Sequence, residues 1–396
     1  MQALEGIRVV EVATLLAAPG AARHLADFGA QVVKVEPPAG DPVHRLGWID
    51  PRDGESFFWK ILGRNKETVT LDLKSEAGAD ALWGLLADAD VLIENLRPGT
   101  LERLGFDPAD LLAAHPGLVV LRVSGFGQDG PYADRPGFAT LAEAMGGFAA
   151  LNGEPDGPPL LPPVALTDEI AALAGAFAVL VALRHRDRTG EGQVIDLSLL
   201  ETMIHMLGAL PSAHAHLGYE QPRLGSGIPY TVPRGTYRCA DGRWVAVSTS
   251  SEGVARRVLE LLGLADDPRF ATFAGRAAHR AELDDAVAAW VGARSSGEVL
   301  AAFDAARAAA APVLRCSELM ADRHVQARRV FVEVDGVVMP APLPRLSRTP
   351  GRIRHAGRGR DTERGSCAGP GAAPHAGPAD PDERRDDRES SRGAVE

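Results

Sequence analysis

Cysteine is scarce: Cys239, Cys316 and Cys367 are the only three in 396 residues, and no two form a C-x-x-C pair. That excludes a disulfide-stapled scaffold and a thiolate metal centre, and it fits a reducing cytosol. His214 and His216 form an H-x-H pair with no third ligand at a recognisable spacing, so they read as ordinary helix or loop histidines rather than a closed metal set. Positive charge is also short, with 42 Lys and Arg against 53 Asp and Glu and a net charge of −11. A general nucleic-acid or anionic-membrane surface is therefore not expected, although a local basic pocket for a phosphate ligand is. The longest apolar run, within residues 170 to 183, falls short of the roughly 20 residues that span a bilayer. The start, MQALEGIRVVEV, has neither the basic lead nor the cleavage site of a secretory signal. These absences predict a soluble, cytoplasmic protein.

Three catalytic or cofactor motifs are missing as well. The turn from Thr14 to Gly20 reads TLLAAPG and lacks G-x-G-x-x-G, so the acid Glu36 at the end of the next strand only imitates a dinucleotide fold. Neither a Walker loop nor a G-x-S-x-G elbow occurs, which removes local support for an NTPase or a serine hydrolase.

What is present is a long alternation of strands and helices. IRVVEVAT, a helix ending near Phe28-Gly29, and QVVKVE make a βαβ unit. TVTLDL, a helix from about Ser75 to Leu86, VLIENL, a short helix around Thr100 to Leu104, a helix near Pro108 to Ala114, and LVVLRVSGF repeat the pattern. Such alternation predicts a Rossmann-like parallel sheet covered on both faces, with ligands outside the carboxyl ends of the strands, where LDLK, ENLRPG and SGFGQDG fall. The loop GFGQDGPYADRPG is long enough to be functional. A helix from about Ala139 to Phe148 follows, and another is expected from Leu197 to about Leu217. The composition then places a large α/β domain in residues 1–200, a linker in 201–224, a smaller α+β domain in 225–324 and a return to the large domain in about 325–354. Within the smaller domain, GTYRCADGRWVAVST reads as a hairpin turning at Asp241-Gly242. Residues 355–396 have almost no apolar side chains and are expected to be a disordered tail.

The chain is organised around VALTDEIAALAGAFAVLVALRHRDRTGEGQ. From Ile170 to Leu183 no residue is charged or amide-bearing, which predicts a helix packed on all faces. Acids at its start (Asp168, Glu169) and bases at its end (Arg184, His185, Arg186, Arg188) suit the helix dipole. By position Asp168 reads as a helix cap. It also reads as a partly desolvated carboxylate entering a core, which is a seat for a nucleophile.

This segment, followed by RTGEGQVIDLSLLE, resembles the central part of the family III CoA-transferases, the CaiB/BaiF family, in which α-methylacyl-CoA racemase is a sister. The resemblance extends through GIRVVEVATLLAAPGAARHLADFGAQVVKVEPPAGD, GRNKETVTLDLKSEAG, VLIENLRPGTLERLGFD, VSGFGQDGPYADRPGF and YRCADGRWVAV. It implies transfer of CoA from an acyl-CoA to a free carboxylic acid, with Asp168 forming in turn an anhydride and a CoA thioester. Glu169 points about 100° away on the helix and ranks below it. The resemblance further implies CoA contacts at Leu71, Asp72, Leu73 and Lys74, at Asn95, Leu96 and Arg97, and at Arg103. Pro98 and Gly99 fix the turn there, which is expected to leave Asn95 free for a ligand. No permanently bound cofactor is implied, and two chains are expected to thread through one another as an interlocked homodimer.

Several positions depart from the family pattern. Pro37 follows Glu36 where relatives have an arginine. Leu15 and Leu16 replace a polar residue, and Ala139 stands where many transferases carry an acid. The glycine-rich flap is reduced to LGSGIPYTVP. These changes point away from oxalate, toward a larger or more apolar acid, and lead to the expectation that Arg135 and Arg45 share in CoA binding. The racemase alternative needs a second proton-transferring base, and the position of its histidine is occupied by Phe138, which cannot carry a proton.

Overall fold

The structure is a computed structural model that describes residues 2–359. Six strands form one parallel sheet: β1 (Arg8–Val12), β2 (Gln31–Glu36), β3 (Lys66–Thr70), β4 (Val91–Glu94), β5 (Val119–Ser124) and β6 (Val194–Ser198), in the order β3-β2-β1-β4-β5-β6. The order reverses between β1 and β4. The turns leaving those two strands diverge there, and a crevice opens at their carboxyl ends.

Helices cover both faces, as the alternation requires. The first are α1 (Ala17–Asp27), α2 (Phe57–Leu62), α3 (Glu76–Leu86), α4 (Thr100–Arg103) and α5 (Pro108–Ala114). They are followed by α6 (Ala139–Met145), α7 (Phe148–Leu151), α8 (Leu166–Thr189), α9 (Leu199–His205) and α10 (Leu210–Leu217). Alternate residues of one strand separate into two cores: Val9 packs with α1 and α8, and Val10 packs with α3 and α5. The α1–α8 approach is close because it is built from small residues. A Cβ on Gly20 would lie 2.7 Å from the Ala172 methyl, and one on Gly175 would lie 3.2 Å from Ala21.

The long helix differs from its sequence reading. One face, with Ala172, Gly175, Ala176, Val179 and Leu183, is buried. The opposite stripe is open in the single chain, with Leu173 45%, Phe177 69% and Val181 53% exposed. By length and composition α8 could cross a bilayer, a test that a core helix also passes.

Two other expected helices are interrupted. The segment from Leu197 begins in β6, bends through Met206–Ala209 with Gly208 at φ 59°, and restarts with Pro211 in the first turn of α10. The segment from Ala139 divides at Gly147, whose φ of 85° only glycine adopts freely.

A second, antiparallel sheet joins β7 (Gly235–Arg238), β8 (Trp244–Ser248) and β9 (Ala309–Pro312), with the β7–β8 turn at Asp241-Gly242. Helices α11 (Glu252–Leu262), α12 (Phe273–Ala278), α13 (Arg280–Gly292) and α14 (Ser296–Ala305) accompany it. Tyr237, Val245, Val247, Val287 and Phe303 form a core there. The hairpin of β10 (Phe331–Val334) and β11 (Val337–Pro340) returns to α2, packing on Phe57 and Ile61. Residues 355–359, expected to open the tail, are instead bonded in place. Asn65 N–H donates to the His355 carbonyl at 3.2 Å, Gly357 N–H to Lys60 at 2.9 Å, and Trp59 Nε1–H to Arg358 at 2.8 Å. The rest of the expected tail lies outside the described residues.

Candidate active site

The crevice at the strand-order reversal is a cleft of about 470 Å³. Its walls are the turns after β1 (Thr14 to Ala17), β4 (Asn95 to Pro98) and β5 (Ser124 and Gly125), the loop from Ala133 to Thr140, and the first turn of α8.

The β1 turn is gripped at consecutive residues. Lys34 Nζ donates to the Ala13 carbonyl at 2.7 Å. Thr14 N–H donates to Asn95 Oδ1 at 2.9 Å, and Asn95 Nδ2 donates back to the Thr14 carbonyl at 2.8 Å. Leu15 N–H donates to Asp41 Oδ1 at 3.2 Å. These bonds hold Leu15 at φ 64°, a left-handed conformation uncommon for leucine. They also correct the expectation for Asn95. Its amide oxygen and one N–H are used in pinning the β1 turn to the β4 turn, so the side chain is not left wholly to a ligand.

Behind this turn lies a buried charge network. Lys34 pairs with Glu11 at 2.8 Å and Asp41 at 2.9 Å, and Lys66 pairs with Glu11 at 2.6 Å. Burial disfavours the Lys34 ammonium, but Glu11 and Asp41 outweigh it and push its pKa up to about 12. The positive charge that anchors Ala13 is thereby fixed.

Asp168 is the third residue of α8, after an Ala165 that offers no capping side chain. Among the described residues no hydrogen bond or ion pair engages its carboxylate, so it is not the cap that its position implied. It lines the cleft instead. Burial first, then the negative charges of Glu143 and Glu169, raises its pKa from 3.8 to about 6. Glu169 turns away and pairs with Arg23 of α1 at 3.2 Å.

The other expected contacts divide into two groups. Leu96 and Arg97 line the cleft with Asn95, and so does Arg135, whose guanidinium sits 3.9 Å from the Tyr132 ring centroid. Leu71, Asp72, Leu73, Lys74, Arg103 and Arg45 do not. Leu71 and Leu73 pack into the α3-side core, and Asp72 holds its own turn by accepting from the Lys74 N–H at 3.1 Å. Lys74 is exposed at the same carboxyl edge of the sheet, and Arg103 donates to Thr100 Oγ1 at 2.7 Å.

Leu15, Leu16, Phe138 and Ala139 all face the cleft, and among the described residues no histidine does. Gly225 to Tyr230, from the shortened flap, line a separate cavity of about 1070 Å³ against α10 and β8. The sequence reading missed Glu143, a buried acid on α6 that binds Thr167 next to Asp168. Its signal was a lone acid in the small, apolar run LAEAMGG.

The sequence profile of CoA-transferase family III matches residues 4–362. The chain belongs to this family. It is 38% identical over 363 residues to the succinyl-CoA–D-citramalate CoA-transferase of Chloroflexus aurantiacus, covering 89% of this chain and 90% of that protein. It is 35% identical to the succinate–glutarate CoA-transferase of Agrobacterium fabrum, covering 85% and 87% respectively. Among solved structures, a CaiB/BaiF family protein from Brucella suis superposes with a TM-score of 0.80 at 31% identity, over 90% of this chain and 96% of that one. The protein is thus a family III CoA-transferase, with a six-stranded parallel sheet and smaller antiparallel sheets.

Proposed function

We propose that this CoA-transferase moves CoA from an acyl-CoA to a free carboxylic acid by covalent catalysis on Asp168. The carboxylate attacks the thioester carbonyl, the C–S bond breaks, and an aspartyl anhydride forms with release of CoA thiolate. The thiolate then attacks the aspartyl carbonyl, which releases the first acid and leaves an aspartyl-CoA thioester. An incoming acid reverses both steps and departs as the new acyl-CoA. The observation that carries this reading is a carboxylate without a partner in a cleft at the sheet's switch point, desolvated enough to be a strong nucleophile.

The acid's stem fits against Leu15, Leu16 and Phe138, with Arg97 and Arg135 as the nearby cations. Relatives named for citramalate, malate and glutarate support a short dicarboxylic acid with an aliphatic stem over oxalate. For the phosphates of CoA, Arg97 is at the cleft, and Lys74 and Arg103 lie along the carboxyl edge of the sheet. The open stripe of α8 supports burial against a second copy in an interlocked homodimer.

Mass spectrometry of the protein with succinyl-CoA and a panel of acids should show exchanged thioesters. It should also show a hydroxylamine-sensitive adduct on Asp168. An active Asp168→Asn protein, or an adduct on Glu169, overturns the assignment.

A further inference from the structure

Glu143 is a buried acid without a cation. It is 4% exposed, and acids so deep are normally matched by a positive charge. Among the described residues its only partners are on Thr167, whose hydroxyl donates at 3.0 Å and whose backbone N–H lies at a long 3.5 Å. Thr167 is itself fully buried, and it immediately precedes Asp168. Helix α8 has Ala165 at its N-cap, which offers no side-chain cap. Glu143 therefore brings, from α6, an acceptor that the helix does not supply for itself.

Resting on the assignment of Asp168 as nucleophile, we propose that Glu143 is a positioning residue of the transfer reaction. It fixes the first turn of α8 through Thr167, and a carboxylate held against the residue next to Asp168 makes the Asp168 carboxylate more electron-rich for attack on the thioester carbonyl. When the new C–O bond forms and the C–S bond breaks, the negative charge passes from Asp168 through the carbonyl oxygen to the departing thiolate. Repulsion from Glu143 is thus present before the step and relieved during it, while no proton is moved.

The other charges around Asp168 do not duplicate this role. Glu169, on the same helix, also repels Asp168, but it turns to the open side and pairs with Arg23 of α1 at 3.2 Å. His24 of α1 is neutral, since burial first and Arg23 next hold its pKa down to about 3. Arg97 and Arg135 enter from the cleft side, where substrate would meet them, while β5 and α9 bring the uncharged Val123, Ser124 and Leu199.

Glu143→Gln keeps the shape and an acceptor for Thr167 but removes the charge. It should bind CoA within about twofold of the parent, form the acyl adduct about tenfold more slowly near pH 8, and move the acid limb of kcat/KM toward lower pH. NMR of isotope-labelled aspartate carboxyls, with Asp168 assigned by its loss in Asp168→Asn, reads the same shift without turnover. Unchanged titration and adduct rate in Glu143→Gln would overturn the proposal. If Asp168→Asn remains active, the nucleophile assignment fails by itself, whereas the NMR titration still tests the influence of Glu143. Should Glu143→Gln not fold, Glu143→Asp keeps the charge and withdraws it from Thr167; a parental adduct rate there would sink the positioning role.

Discussion

Replacing Asp168 by asparagine should stabilise the protein while removing its activity. The carboxyl is held at a pKa of about 6 against an ordinary 3.8, chiefly by burial and then by Glu143. At about 1.36 kcal/mol per tenfold change, keeping it ionised at neutral pH costs the fold roughly 3 kcal/mol. The sign follows from proton binding. Between the two pKa values the folded state binds more protons than the unfolded state, so stability falls as pH rises through that window. Below about pH 4 the acid is protonated in both states and the cost vanishes; above about pH 6 it is fully present. Asparagine cannot ionise, and its buried amide forfeits part of the gain, leaving about 1–3 kcal/mol net. Urea denaturation of the two proteins at pH 4, 6 and 8 would show the curves converging in acid and separating toward neutrality. An Asp168→Asn protein no more stable than the parent at pH 8, or a gap independent of pH, refutes the reasoning. On the proposed mechanism, nucleophilicity and instability would have one source, the desolvated and repelled carboxylate.

The parallel sheet and its open end were legible because each depends on local signals. Period-two apolar strands alternate with capped helices, and the motifs ENLRPG and SGFGQDG fall where strands must end. Asp168 was legible as a candidate for the same reason, an acid heading an apolar helix. What sequence spacing did not reveal is who bonds to whom across the fold. Asn95 reads as a ligand donor until Thr14 is placed opposite it, eighty-one positions away in the chain. Glu11, Lys34 and Lys66 are charges at buried positions of three adjacent strands, and only the strand order makes them one network. Glu143 needed the α6–α8 contact to acquire meaning. The apolar run of α8 predicts packing on every face, but the single chain leaves the Leu173, Phe177 and Val181 stripe open, which run composition does not reveal.

Asn95→Ala should release both backbone groups of Thr14, costing about 1–3 kcal/mol in denaturation and raising KM as the Leu15 turn loosens; unchanged stability would mean that the turn is held without it. Truncation after Arg354 should lower the melting temperature, because it removes the bonds from His355, Gly357 and Arg358 to Asn65, Lys60 and Trp59. Truncation after Gly359 keeps them and should melt measurably higher than the shorter form. Phe177→Glu tests the uncovered stripe of α8. Because Phe177 is 69% exposed in one chain, a charge there should change the stability of an isolated subunit by no more than about 0.5 kcal/mol. If a second copy covers the stripe, the same substitution buries an unpaired carboxylate, so sedimentation should show loss of the dimer and melting should fall sharply. A dimer that persists with parental melting would place Phe177 in solvent and leave the interface to other surfaces.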